Sequence, residues 1–228
     1  MTGADAGMIE VRRHPRARRA RLSVDPADGR IRLILPPRAH LRRALAWAES
    51  QREWIERQRA RLPRPQPFAD GATLPFRGIV LTIAHDPAAP RAPACDGGLL
   101  RVGGPADTLA GRVDRWLRQQ ALAALREATA RYAARAGVTV SAVAIGDARR
   151  RWGSCTATGA IRYSWRLILA PPFVLEATAA HEVAHRVHMN HGPAFHALVA
   201  QLLDDDPAPA MAWLRRHGAT LHWIGRST

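Results

Sequence analysis

The run from His181 to His191, HEVAHRVHMNH, constrains this chain more than any other segment. His181 and His185 are four residues apart, which on an α-helix puts two imidazoles on one face, one turn apart, able to share an ion at about 2.0 to 2.1 Å. Glu182, one position on, is angled beside that face. There it can hold water against an ion without displacing it, as a general base for hydrolysis requires. Pro171 and Pro172 suit the first turn of a helix, and the segment from Phe173 to about Met189 contains no breaker. The spacing therefore predicts a helix over those residues.

Two imidazoles need a third ligand, and His188, His191, His196, His217 and His222 all lie downstream. If the helix continues, His188 stands seven residues from His181, a rise of about 10.5 Å, too far for the same ion. Asn190 suits the left-handed conformation that ends a helix, Gly192 gives freedom, and Pro193 suits the start of the next helix. That turn brings His191 back beneath the first pair, with His196 as the reserve ligand. Three neutral histidines leave a fourth position open for water, the mark of a catalytic zinc site rather than a structural one. Glu182 would take the proton of that water and pass it to the leaving group. The competing interpretation is a set of surface or core histidines beside a solvated Glu.

Other chemistry finds less support. Cys95 and Cys155 are the only cysteines and lack CxxC spacing, so neither a thiolate zinc ribbon nor a disulfide framework is indicated and a reducing cytoplasm fits best. The basic N-terminus lacks the apolar core of a secretory signal, and Leu167 to Leu175 is too short, and too broken by Pro171 and Pro172, to span a bilayer. A soluble protein with no membrane contact is expected. The net charge of +15 favours a polyanionic partner. Against that, the chain has no Lys, and its wealth of Arg, Ala, Gly and Pro looks like the coding bias of a GC-rich genome. Residues 1 to 66 hold 16 Arg against 7 acidic residues. Any nucleic-acid contact is therefore expected through this Arg-rich N-terminal lobe.

Beyond a disordered-looking start, Ile9 to Val24 and Arg30 to Leu35 read as strands of a hairpin turned at Asp25, Pro26, Asp28 and Gly29. From His40 to Leu62 apolar residues recur at helical spacing, with Trp47 and Trp54 on an adjoining stripe and arginines forming a solvated face. PRPQP at 63 to 67 is a stiff connector. Short strands follow at Thr73 to Phe76 and Ile79 to Ile83, then a loop to about Pro105. A long helix capped by Asp107 or Thr108 runs to Ala136 and is stopped by Gly137. Strands are expected at Val138 to Ile145 and Ile161 to Leu169, with Arg149 to Cys155 as a further strand or its approach. This places a basic β-rich lobe with one amphipathic helix over residues 1–105 and the catalytic domain over 106–228.

Three runs, RWGSC (Arg151 to Cys155), IRYSWRLILAPP (Ile161 to Pro172) and HEVAHRVHMNHGPAF (His181 to Phe195), closely resemble the YgjP-like metallopeptidases, minimal zincins related to the SprT-like and WLM groups. The likeness is sharp over about residues 145 to 200 and looser over the front lobe, including its DGATLPF segment. Tyr163 and Ser164 stand where relatives commonly have Leu-Asn. The resemblance implies an α+β zincin-like fold, with the active-site helix packed under a small sheet whose outer strand holds an extended peptide. It also implies one zinc per chain on His181, His185 and His191, with Glu182 catalytic, in a zinc-dependent metallopeptidase acting on a peptide or protein substrate. Near the site, Arg166 is a candidate for oxyanion stabilisation, and Gly153 and Ser154 for substrate contact. Each has a structural alternative: Trp152 and Trp165 as core, Gly153 as a bulge, Cys155 as a small buried side chain. A metal-dependent phosphohydrolase acting on nucleotides, using Arg149, Arg150 and Arg151, is the alternative activity. A nucleic-acid-associated protease or binding protein is the alternative of another class.

Overall fold

The computed structural model describes residues 9–227. The expected disordered start falls on residues 1–8, outside the described residues. Strands β1 (Glu10–Arg13), β2 (Arg21–Val24) and β3 (Ile31–Leu35) form a sheet in the order β1-β3-β2, with β2 antiparallel and β1 parallel to β3. The expected first strand is thus two strands. Pro15 interrupts it, and the Ala17 N–H donates to the His14 carbonyl inside the intervening loop. Alternation along β3 buries Ile31, Leu33 and Leu35, and the two leucines pack on Ala44 and Ala48 of α1 (Leu41–Ser50). The single helix expected to Leu62 is likewise divided. It breaks at Gln51 (φ −91°, ψ 16°) before α2 (Arg52–Arg59), and the Ser50 hydroxyl donates to the Trp47 carbonyl beside the break.

Further along, β4 (Thr73–Phe76), β5 (Ile79–Asp86), β6 (Ala94–Asp96) and β7 (Leu99–Gly103) make a mixed sheet in the order β4-β5-β7-β6. The last two occupy a stretch expected to be loop, because Pro, Ala and Gly around them mask a short strand pattern. Helix α3 (Leu109–Ala136) ends as expected at Gly137, whose φ of 64° suits glycine. One stripe of it, Val113, Leu117, Ala121, Leu125 and Ala128, is buried in the same cluster as Leu81, Leu100 and Ile161. That shared core explains why the chain divides into compact units between Arg64 and Pro65 rather than near residue 105. The β4–β7 sheet has its apolar face in the core of the second unit.

A second small sheet, β8 (Ala142–Gly146), β9 (Gly153–Cys155) and β10 (Ala160–Ser164), runs in the order β8-β10-β9, leaving β9 at an edge. The expected strand to Leu169 stops at Ser164. Trp165–Leu169 is instead a wholly buried 3-10 helix. Helices α4 (Pro172–Ala184), α5 (Pro193–Leu203) and α6 (Ala208–Leu221) complete the unit, an α+β arrangement in which α4 packs against α3, α5, α6 and β9. Among the described residues no helix is long and apolar enough to cross a membrane.

Candidate metal centre

Helix α4, PFVLEATAAHEVA, begins with Pro172 in its first turn and is apolar nearly all round, so that Val174, Leu175, Ala179, Ala180 and Val183 are buried. Burying such a helix carries the polar residues of its last turn inside with it. Glu182 is 5% exposed and His185, at the C-cap, 8%. The helix ends at Ala184, one turn before the expected limit near Met189. Its end is a tight turn in which the Ala184 carbonyl accepts from the N–H groups of Val187 and His188, at 3.0 and 2.9 Å. The left-handed residue expected at Asn190 is not used: among the described residues only Arg77 and Asp204 are non-glycines with positive φ, and Gly192 is extended. Hydrogen bonding at the helix end, not a left-handed cap, reverses the chain.

This reversal brings three histidines together. Ligand nitrogens of His181, His185 and His191 all lie within 4.8 Å of one another. The Nε2 atoms of His181 and His191 are 3.1 Å apart. Ligands at 2.0 to 2.1 Å from a tetrahedral ion are separated by about 3.3 Å, so this pair is already at the spacing a shared metal needs, and the third nitrogen lies within reach of the same ion. His185 is oriented from behind, its Nδ1 3.1 Å from the His188 carbonyl. An Nδ1–H donated there leaves Nε2 with its lone pair free to ligate. His188 therefore takes part through its backbone, although its side chain is excluded. His196, the reserve ligand, is outside the group, its ring 6.4 Å from that of His191.

Phe195, fully buried near the start of α5, forms the floor. Its ring centroid lies 4.8, 4.6 and 4.8 Å from those of His181, His185 and His191. An apolar floor of this kind favours uncharged imidazole, the form that binds metal. Burial, with the neighbouring His185, His191 and His196, pushes His181 down to about 4. Burial lowers His185 too, against the opposing pull of its bond to the His188 carbonyl.

Glu182 faces β9. A Cβ added at Gly153 would lie 2.5 Å from Glu182 Cγ and 2.6 Å from its Cδ, so only glycine leaves room for this carboxylate. Gly153 is thus a wall of the site. Burial pushes Glu182 up to about 7, against the opposing charge of Arg151. Two anchors hold β9 where this close approach requires it. Trp152 stacks on His222 at 5.3 Å and packs so tightly on α6 that a Cβ at Gly218 would come within 2.7 Å of its ring. Arg186, just past α4, donates to the Thr139 carbonyl at 3.2 Å and the Ala157 carbonyl at 3.0 Å, tying the approach to β8 and the β9–β10 turn to the helix end.

The remaining candidates separate. Ser154 lies opposite Arg162 in the β9–β10 register, on the edge strand. Cys155 is half-buried, its thiol pushed up by burial, and is not part of the ligand group. Arg166 does not serve an oxyanion. Its Nε and Nη2 donate to Asp147 at 2.7 and 3.1 Å, and its Nη1 to the Leu221 and Ile224 carbonyls at 2.6 and 2.9 Å. Nothing in SWRLIL distinguishes such a buried structural arginine from a catalytic one. At the positions where the resemblance noted a departure, the Tyr163 hydroxyl is hydrogen-bonded to Thr129 at 2.9 Å, and the buried Ser164 hydroxyl has no partner among the described residues.

A family model described as YgjP-like, metallopeptidase domain, matches residues 18–217. The chain belongs to the YgjP-like metallopeptidase family. No curated protein and no solved structure gives a match.

Proposed function

We propose that this YgjP-like chain is a zinc-dependent peptidase in which His181, His185 and His191 hold one zinc ion and Glu182 is the general base. The observation that carries this is the juxtaposition of three histidine nitrogens within 4.8 Å of one another with a buried carboxyl on the same helix end. Zinc in a site of three neutral imidazoles supplies Lewis acidity, polarising a carbonyl and lowering the pKa of water to about 7. Glu182 takes the proton of the attacking water and delivers it to the leaving amine, helped by a burial that lifts its affinity for protons into the working range. His188 fixes the tautomer of His185, and Phe195 keeps the ligand rings uncharged. The free edge of β9 accepts an extended peptide by strand addition, with Gly153 and Ser154 beside the scissile bond.

The test is hydrolysis of a mixed peptide library by wild type and Glu182→Gln, each loaded with zinc. The expected result is cleavage by the wild type, and a fall of at least about 1,000-fold in the variant with zinc still bound. Equal activity in both sinks the assignment of Glu182. Hydrolysis of nucleotides and not peptides, lost in the same variant, would move the site to phosphoryl chemistry.

A further inference from the structure

The N-terminal unit carries a groove of about 960 Å³ lined by the loop before β2, by Arg21 and Leu22 of that strand, and by Trp47, Gln51 and Trp54. Arg16, Arg18, Arg19 and Arg21 are all exposed there. No carboxylate among the described residues pairs with any of the four. The ion pairs of this unit are made elsewhere: Glu10, Asp25 and Asp28 gather on Arg32, Asp28 also reaches Arg30, Glu53 reaches Arg57, and Glu56 reaches Arg59. Four cations within six residues repel one another, a cost that a polyanion would remove. Compositional bias alone does not place them so. Residues 1–64 hold 16 of the 34 arginines, and the longer remainder of the chain shares the other 18.

The groove is not merely charged. Trp47 is 40% exposed, a large apolar surface left in water on a helix that buries Ala44 and Ala48, and Trp54 stands beside it in the same lining. Guanidinium groups and indoles lining one groove match a sugar–phosphate backbone with unstacked bases. Arginine neutralises phosphate, and an aromatic face stacks on any base. A paired duplex offers no such free base faces, and a bare polyphosphate makes no use of the tryptophans.

We infer that this groove binds single-stranded nucleic acid, with Arg16, Arg18, Arg19 and Arg21 along the phosphates and Trp47 stacked on a base. The site is independent of the peptidase reading and stands or falls separately from it.

The experiment uses the full chain and a fluorescent oligothymidylate, with binding followed by anisotropy across a salt series. Wild type binds at low salt and weakens steeply as salt rises. The triple variant Arg16→Gln/Arg18→Gln/Arg19→Gln binds more than about tenfold more weakly, and its log–log salt slope is shallower by about 2, near 0.7 per lost phosphate contact. Trp47→Ala weakens binding about tenfold with an unchanged salt slope, and Trp47→Phe retains most of the affinity. The three arginines are exposed, so the triple variant keeps its fold and its result stands whatever Trp47→Ala does to stability. The inference is overturned if wild type fails to bind at low salt, or if the triple variant and Trp47→Ala both bind as wild type does. It is equally overturned if a duplex, inorganic polyphosphate or phosphatidylserine vesicles bind as tightly as the single strand; the vesicle result would reassign the groove to a lipid surface.

Discussion

The two units use arginine in opposite ways. In the interior of the second, Arg166 has donors on both Asp147 oxygens and on two carbonyls at the end of α6 and just beyond, so its charge is consumed in holding the chain together. Along the N-terminal groove, Arg16, Arg18, Arg19 and Arg21 lie in water with no carboxylate partner among the described residues. The difference teaches how to divide one residue type into structure and function. A buried guanidinium must be fully paired to be tolerated at all, and once paired it has nothing left for a ligand. An exposed, unpaired cluster contributes nothing to the fold and is free to bind.

The largest effect expected from this contrast is on stability. Arg166→Met leaves Asp147 and the Leu221 and Ile224 carbonyls without their donor, at a cost of about 3 kcal/mol in denaturant unfolding. A cost near zero would mean that the pairing is not structural, and Arg166 would return as a catalytic candidate. Slightly smaller is the effect of Gly153→Ala. Displacing Glu182 from β9 should lower peptidase activity about 100-fold while zinc remains bound. Wild-type activity in that variant would show that the close approach is not needed.

Acidity should also separate buried from exposed groups. Burial, together with the charge of Arg166, pushes His222 down to about 4 from 6.5. The unfolded chain therefore binds the extra proton first as pH falls. The stability tied to neutral His222 is whole above pH 6.5 and is lost as pH drops toward 4, with a slope of up to about 1.4 kcal/mol per pH unit. His222→Gln should flatten that slope in urea unfolding between pH 6.5 and 4, and an unchanged slope would count against it. The smallest effect belongs to the groove, where Arg18→Met should change stability by no more than about 0.5 kcal/mol. A loss as large as that of Arg166→Met would erase the distinction between the two regions.

Much of the candidate metal centre was legible in the sequence, because HExxH spacing states helix geometry directly. His181, His185 and His191 come together as that spacing and the following Gly-Pro suggest. The route was not legible. The turn after α4 depends on which carbonyl accepts which N–H, and His188 contributes a backbone oxygen that carries no side-chain signature. Phe195 reads as one more core aromatic until the three rings above it are located. Among the elements, α3 and its Gly137 stop follow from long periodicity, whereas β6 and β7 are too short to stand out from their Pro- and Gly-rich surroundings. The front lobe was expected to reach residue 105 because composition changes there. What decides the boundary is which core the β4–β7 strands share, and that is long-range packing.

The central claim is that three particular histidines form one metal site. Calorimetric titration of zinc into metal-free protein tests it most directly. Wild type, Glu182→Gln and His196→Ala should each bind one zinc per chain with similar affinity, while His185→Ala and His191→Ala lose at least about 100-fold. No binding by the wild type, or loss in His196→Ala with retention in His191→Ala, would contradict the account.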